Sequence, residues 1–239
     1  MAKHRLLLVP WLSKLEWGIR PLLEEWADVA SFDAPGVGDE PPPAEATRDA
    51  IAQRGLEELD RLGWDRCTVV ADEFGVGTAV TLASQRPETI GGLALGHACL
   101  SHRLEGDRPP INPSVYEAFL QTGRTNFRTF ARHLTQVSRG GYDDELADRW
   151  VRCVPAEVAL SYYDGVTSAE RPFGELLENI DVPLLFGKHD GCIMFTPEGF
   201  ADAVAAFPRA ETLSDQTKPT ASEGFAAALR SFCDRQETP

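Results

Sequence analysis

The sequence predicts an α/β fold: a mostly parallel sheet with helices on both faces, interrupted by a helical insertion. Three observations carry that prediction. Short apolar, strand-like runs alternate with helical patterns over residues 1–100. The strand pattern vanishes over 101–180 and returns over 181–239. Within the first of these stretches lie a strand, a sharp turn crowded by small residues, and a helix, at residues 67–83.

Residues 5–9, with the apolar run 6–9 closed by Pro10, read as a buried first strand. The run is too short for a signal peptide and no small-residue cleavage site follows it. Residues 16–26 read as one helix, with Trp17, Ile19, Leu22, Leu23 and Trp26 on its apolar face. A strand is expected over 29–32, followed by the turn-rich Asp33-Ala34-Pro35-Gly36-Val37-Gly38 and the prolines 41–43. Next come a helix over 44–62, a strand over 67–70, a helix to about 86 and a strand over 90–95. In the insertion, helical patterns stand at 115–121, 126–137 and 145–154, broken by Pro109-Pro110 and Gly140-Gly141. A strand over 182–186, a helix over 197–207, a weak strand over 210–213 and a helix over 221–234 close the chain. The expected core is therefore 1–100 with 181–239, and 101–180 is a cap at the C-terminal edge of the sheet, where α/β sites lie.

At 239 residues, 43% hydrophobic and 25% charged, the composition is that of an ordinary globular protein with an ample core. A net charge of −14 argues against nucleic acid or an anionic membrane as partner, and no stretch is long enough to span a bilayer. The five cysteines (Cys67, Cys99, Cys153, Cys192, Cys233) are scattered and form no CxxC pair. That pattern argues against a disulfide framework and a zinc site, and places the chain in a reducing cytoplasm.

The turn Ala71-Asp72-Glu73-Phe74-Gly75 has small residues two before and two after its tip, as a nucleophile elbow requires. The tip residue of such a turn sits in a strained conformation with strand and helix close around it. A hydrolase carries Ser, Cys or Asp there; this chain carries Glu73. Gly75-Val76-Gly77 also faintly suggests a dinucleotide loop, but the third glycine is missing and elbow packing explains the glycines.

With these motifs in order, the chain resembles the α/β-hydrolase family over nearly its full length. Leu8-Val9-Pro10-Trp11-Leu12 stands where the family has its oxyanion-hole residue. Phe32-Asp33-Ala34-Pro35-Gly36-Val37-Gly38 looks like its turn after the second strand, and Pro183-Leu184-Leu185-Phe186-Gly187-Lys188-His189-Asp190 like the strand and turn carrying the triad acid. The resemblance implies a fold lacking the first hairpin, a helical cap, Asp190 as the acid, and an oxyanion hole from the Phe74 and Trp11–Leu12 amides. It breaks twice. The tip is Glu73, and no histidine follows His189, so Asp215 or a neighbour falls where the catalytic histidine belongs. A Ser-His-Asp mechanism is excluded.

A carboxylate in a capped pocket lined by Trp11 and Phe74 suits general acid or base work: elimination, cyclisation, isomerisation or C–C cleavage of a small carbonyl- or ester-type metabolite. His97, after the strand 90–95, is the candidate dyad partner of Glu73; His189 can point into or away from the site, and the bland reading of both is a structural histidine. His102 and His133 belong to the cap, and Asp33 and Asp72 read as turn formers. Crowding of Glu73, Asp190 and Asp215 would hold at least one carboxyl protonated; no ligand motif marks a metal site, and no cofactor is expected. The alternative is a silent pseudo-hydrolase that binds a small ligand or a protein partner; a homodimer stays open, and ordinary ester hydrolysis ranks last.

Overall fold

The computed structural model describes residues 3–139, 142–167, 172–215 and 219–236. Among them, six strands form one sheet: β1 (His4–Val9), β2 (Ala27–Ser31), β3 (Cys67–Asp72), β4 (Ile90–Gly96), β5 (Leu184–His189) and β6 (Glu211–Asp215). Every pairing is parallel, in the order β2-β1-β3-β4-β5-β6. The chain steps outward from β1 to β2 and then restarts on the other side at β3. The crevice between the ends of β1 and β3 is therefore the topological switch point, where open α/β sheets bind ligands.

Side-chain alternation explains why helices cover both faces. Leu7, Val9, Val69, Ala71, Leu93 and Leu95 point to one face, under α2 (Arg48–Leu62), α3 (Gly75–Gln85) and the helices inserted after β4. Leu6, Leu8, Val70, Ala94 and Leu185 point to the other, under α1 (Arg20–Glu24) and α10 (Glu223–Gln236), which contributes Phe225, Leu229 and Phe232. The segment between β4 and β5 holds α4 (Pro113–Thr125), α5 (Phe127–Arg139), α6 (Asp144–Cys153), α7 (Ala156–Thr167) and α8 (Gly174–Leu177); α9 (Pro197–Ala206) follows β5. The expected break at Gly140-Gly141 lies outside the described residues. No helix of the described residues is long and apolar enough to cross a membrane.

One expectation is corrected. The single helix over 16–26 is instead a 3-10 turn, Lys14–Glu16, followed by α1. Ser13 caps the turn, Trp17 leaves helical geometry (φ −85, ψ 84), and Pro21 starts a new helix where a missing N–H costs nothing. Helix α7 escaped the sequence because Gly165 and its aromatic and β-branched residues lower helix propensity. Burial of Ala159, Tyr162, Tyr163 and Val166 overrides that preference. The strand ends also run further than the apolar pattern: β3 to Asp72 and β5 to His189, so polar side chains finish strands whose ladders continue.

Candidate active site

The elbow has the geometry its sequence implies. Glu73 sits at the tip with φ 49, in the left-handed region that a β-carbon makes costly. A β-carbon on Gly75 would lie 3.1 Å from the Val9 carbonyl oxygen, which is why the residue two past the tip is glycine. The Glu73 N–H donates to the Gly96 carbonyl at 3.1 Å, and the Val76 N–H donates back to Glu73 at 3.1 Å, closing the turn.

One strand over, the chain repeats the device. His97 follows β4 with φ 48, and the two are the only non-glycine residues at positive φ among the described residues. Strain of this kind persists only where the surroundings enforce it, and it concentrates at functional sites. The parallel register pairs Asp72 with Gly96, so Asp72 and His97 emerge side by side. Their side chains meet: His97 Nδ1 lies 2.8 Å from Asp72 Oδ1, with both groups buried. A β-carbon on Gly96 would fall 2.5 Å from that same Oδ1, so glycine there leaves the carboxylate its path to the ring. Burial opposes charge on His97, but Asp72 and then Cys192 outweigh it and lift the imidazole to about 10. The Asp72 carboxylate thus favours the charged form of the ring. Its Nε2 is buried with no hydrogen-bond partner among the described residues.

A carboxylate oxygen of Glu73, a ring nitrogen of His97 and Cys192 Sγ all lie within 4.8 Å of one another. On one side of this cluster is a cavity of about 50 Å³ lined by Trp11, Glu16, Trp17, Glu73, Phe74, Trp150 and Tyr163. On the other is a cavity of about 20 Å³ lined by His97, His189, Cys192 and Phe195. Phe74 lines the larger cavity and packs edge-on or tilted against Trp11, Tyr163 and Phe195, the last of which lines the smaller one. Burial, and then the Glu16 and Glu73 charges, hold the Tyr163 phenol well above its ordinary value.

No protein-family model matches the chain. A pimeloyl-[acyl-carrier protein] methyl ester esterase of Sodalis glossinidius is 29% identical over 160 residues, 62% of this chain. The match spans only 58% of that protein's own length. An esterase from Exiguobacterium antarcticum superposes with a TM-score of 0.80, covering 98% of this chain and 92% of its own at 13% identity. A hydrolase from Oleispira antarctica does so with a TM-score of 0.79, 98% and 92% coverage and 16% identity. An enol-lactonase from Burkholderia xenovorans gives 0.74, covering 100% and 93% at 17% identity. The fold is that of the α/β-hydrolases.

Within that fold the site residues fall into two groups. Glu73, Trp11 and Phe74 line the larger cavity, and His97 joins Glu73 from β4. His189 packs its ring edge-on to His97, 6.0 Å between centroids, and lines the smaller cavity. The other residues have different occupations. Asp190 is exposed, where the Ser214 hydroxyl at 2.8 Å and Lys188 at 3.1 Å hold its carboxyl below the usual range. Asp215 accepts from the Ser222 hydroxyl, which caps α10 by accepting from the Phe225 N–H at 2.9 Å. Asp190 and Asp215 also meet at the backbone, where the Asp190 N–H donates to the Asp215 carbonyl at 2.9 Å. Residues 216–218, the neighbours of Asp215, lie outside the described residues. Asp33 anchors its turn, accepting from the Lys14 N–H at 2.9 Å and pairing with Lys14 Nζ at 2.8 Å. His102 is buried against Phe173 and Phe74, and burial, with Arg48, drives it down to about 3, so it stays neutral.

The oxyanion hole is the largest surprise. The Trp11 and Leu12 amides donate not to open space but to the carboxylate of Glu16, at 2.9 and 3.1 Å, joined by the Ser13 amide at 3.0 Å. Glu16 is the second half of a capping box with Ser13, so local helix chemistry fills an anion nest. Replacing Glu16 by Ala leaves three donors without their charged acceptor; a loss of about 1–2 kcal/mol in urea unfolding is expected.

Sequence reasoning missed Asp72, Glu16 and Cys192. The signal for Asp72 was present: two neighbouring parallel strands end in Asp72-Glu73 and Gly96-His97, which puts an acid beside a base at one sheet edge.

Proposed function

We propose that the protein is an enzyme that moves a proton next to the carbonyl of a small, partly apolar compound, with Glu73 as general base and acid and the His97 imidazolium as electrophile. The observation that carries the reading is the meeting of Glu73 and His97, each held at positive φ on adjacent strand ends, with Asp72 fixing the His97 ring. The Glu73 carboxylate removes a proton from the carbon beside the carbonyl. The Nε2–H of His97 hydrogen-bonds the carbonyl oxygen as it gains charge, a task that the Trp11 and Leu12 amides cannot take while Glu16 occupies them. Glu73 then returns the proton to a different carbon, or the electron pair expels a leaving group on the next carbon. Those are an isomerisation and an elimination. No cofactor takes part in this scheme. The proteins sharing the fold include esterases and an enol-lactonase, which favours an ester or lactone of a carbonyl compound as the substrate class.

The test is exchange of α-hydrogens for deuterium in D2O, followed by NMR over a panel of small keto acids, ketones and enol-lactones. The intact protein is expected to catalyse exchange in part of the panel, and Glu73→Gln to slow it by roughly 10²–10⁴-fold. Equal rates in the two proteins contradict the reading. A second reading, a silent ligand-binding protein, is favoured by the small cavity and the filled amides. Saturable ligand binding without exchange is its signature.

A further inference from the structure

We propose that Cys192 is a nucleophilic thiol, activated by the Asp72–His97 couple, that accepts acyl groups from activated esters into a thioester. The inference goes beyond proton transfer by Glu73 but rests on the same charged His97.

Cys192 lies just past β5, in the turn where its N–H donates to the His189 carbonyl at 3.2 Å. The ends of β3, β4 and β5 therefore supply, side by side, a carboxylate (Asp72), an imidazole (His97) and a thiol (Cys192). That order of roles is the logic of a catalytic triad, assembled here away from the elbow tip. Asp72 ties up Nδ1 at 2.8 Å, Nε2 is buried with no hydrogen-bond partner among the described residues, and a ring nitrogen lies within 4.8 Å of Cys192 Sγ. The Phe195 N–H donates to Cys192 Sγ at 3.4 Å and orients the side chain. His97 and Cys192 both line the smaller cavity. The charged and titratable neighbours are Asp72 and Glu73 from the end of β3, and Lys188, His189 and Asp190 from β5 and its turn.

The other cysteines show what an inert thiol looks like here. Cys67, Cys99 and Cys233 are buried, and burial pushes the Cys67 and Cys99 thiols up to about 12. Cys153 is half-buried like Cys192 but sits at the end of α6, which makes it an internal control.

The chemistry balances as follows. The Cys192 sulfur attacks the ester carbonyl carbon, a C–S bond forms, and the C–O bond to the leaving group breaks. The departing oxygen takes the Nε2 proton of His97. Water then attacks the thioester and gives a proton back to Nε2; the C–S bond breaks, and the acid and the thiolate are restored.

The experiment is a brief exposure of the whole protein to p-nitrophenyl acetate, with peptide mass spectrometry and the nitrophenolate burst as readouts. Acetyl-Cys192 is expected at least tenfold faster than acetyl-Cys153, with the burst lost in Cys192→Ser. His97→Gln should slow Cys192 acetylation by tenfold or more. Acetylation of Cys192 no faster than that of Cys153 overturns the proposal, and this comparison needs no variant to fold. Running the same exposure on Glu73→Gln separates the two readings. Thioester formed without α-hydrogen exchange supports the thiol and isolates Glu73. Exchange in the intact protein without thioester overturns the thiol assignment alone.

Discussion

Replacing Asp72 by Ala is expected to destabilise the protein by about 3–5 kcal/mol, because it strands a buried imidazole that the fold holds charged. The same pair imposes a pH dependence. The folded His97 is raised to about 10 from an ordinary value near 6.5. The folded state therefore binds a proton that the unfolded chain releases between those values. The contribution is fully present below pH 6.5 and fades as pH rises toward 10, with a slope of at most about 1.4 kcal/mol per pH unit. Urea unfolding of the intact protein and of Asp72→Asn, at intervals from pH 6 to 10, isolates the effect. The intact protein should lose stability over that range relative to the variant; parallel curves contradict an imidazolium at His97.

At the elbow, stability and activity should separate. Glu73 occupies φ 49, where a side chain costs roughly 1–2 kcal/mol and glycine costs little. Glu73→Gly should therefore gain about 1 kcal/mol in unfolding free energy, part of the relief being offset by the freer unfolded chain. Glu73→Gln keeps the side chain and the strain, so its stability should stay within about 0.5 kcal/mol of the intact protein. Both should lose α-hydrogen exchange by roughly 10²–10⁴-fold, since neither has a carboxylate to move the proton. A stabilised Glu73→Gly that still exchanges would remove Glu73 from the chemistry.

The sequence already carried the fold because period and punctuation agreed: short apolar strands, small residues around the elbow, and a strand-free insertion. It misled where local and tertiary forces disagreed. Trp17, Ile19, Leu22, Leu23 and Trp26 have helical spacing, yet Ser13 and Glu16 cap a separate turn and Pro21 restarts the chain. Tyr162 and Tyr163 lie in a segment of weak propensity that becomes helical because the core needs their rings. The candidate site was legible only in part. Glu73 declared itself by standing at the tip of a recognisable turn. Asp72 passed as a turn residue because its partner, His97, is 25 residues away and meets it only through the β3–β4 register. Cys192 and Glu16 left no motif: one is brought in by β5, and the other fills an anion nest through a side chain four or five residues from the amides it binds.

Both the proton-transfer scheme and the reactive thiol stand on a charged ring at His97. The direct measurement is the ring-nitrogen NMR spectrum of the protein labelled at histidine with 15N, with His97 assigned by the spectrum of His97→Gln. Both nitrogens of His97 should be protonated at pH 8 and remain so until the pH approaches 10. A His97 ring that loses its proton near 6.5 and is neutral at pH 8 would contradict the account.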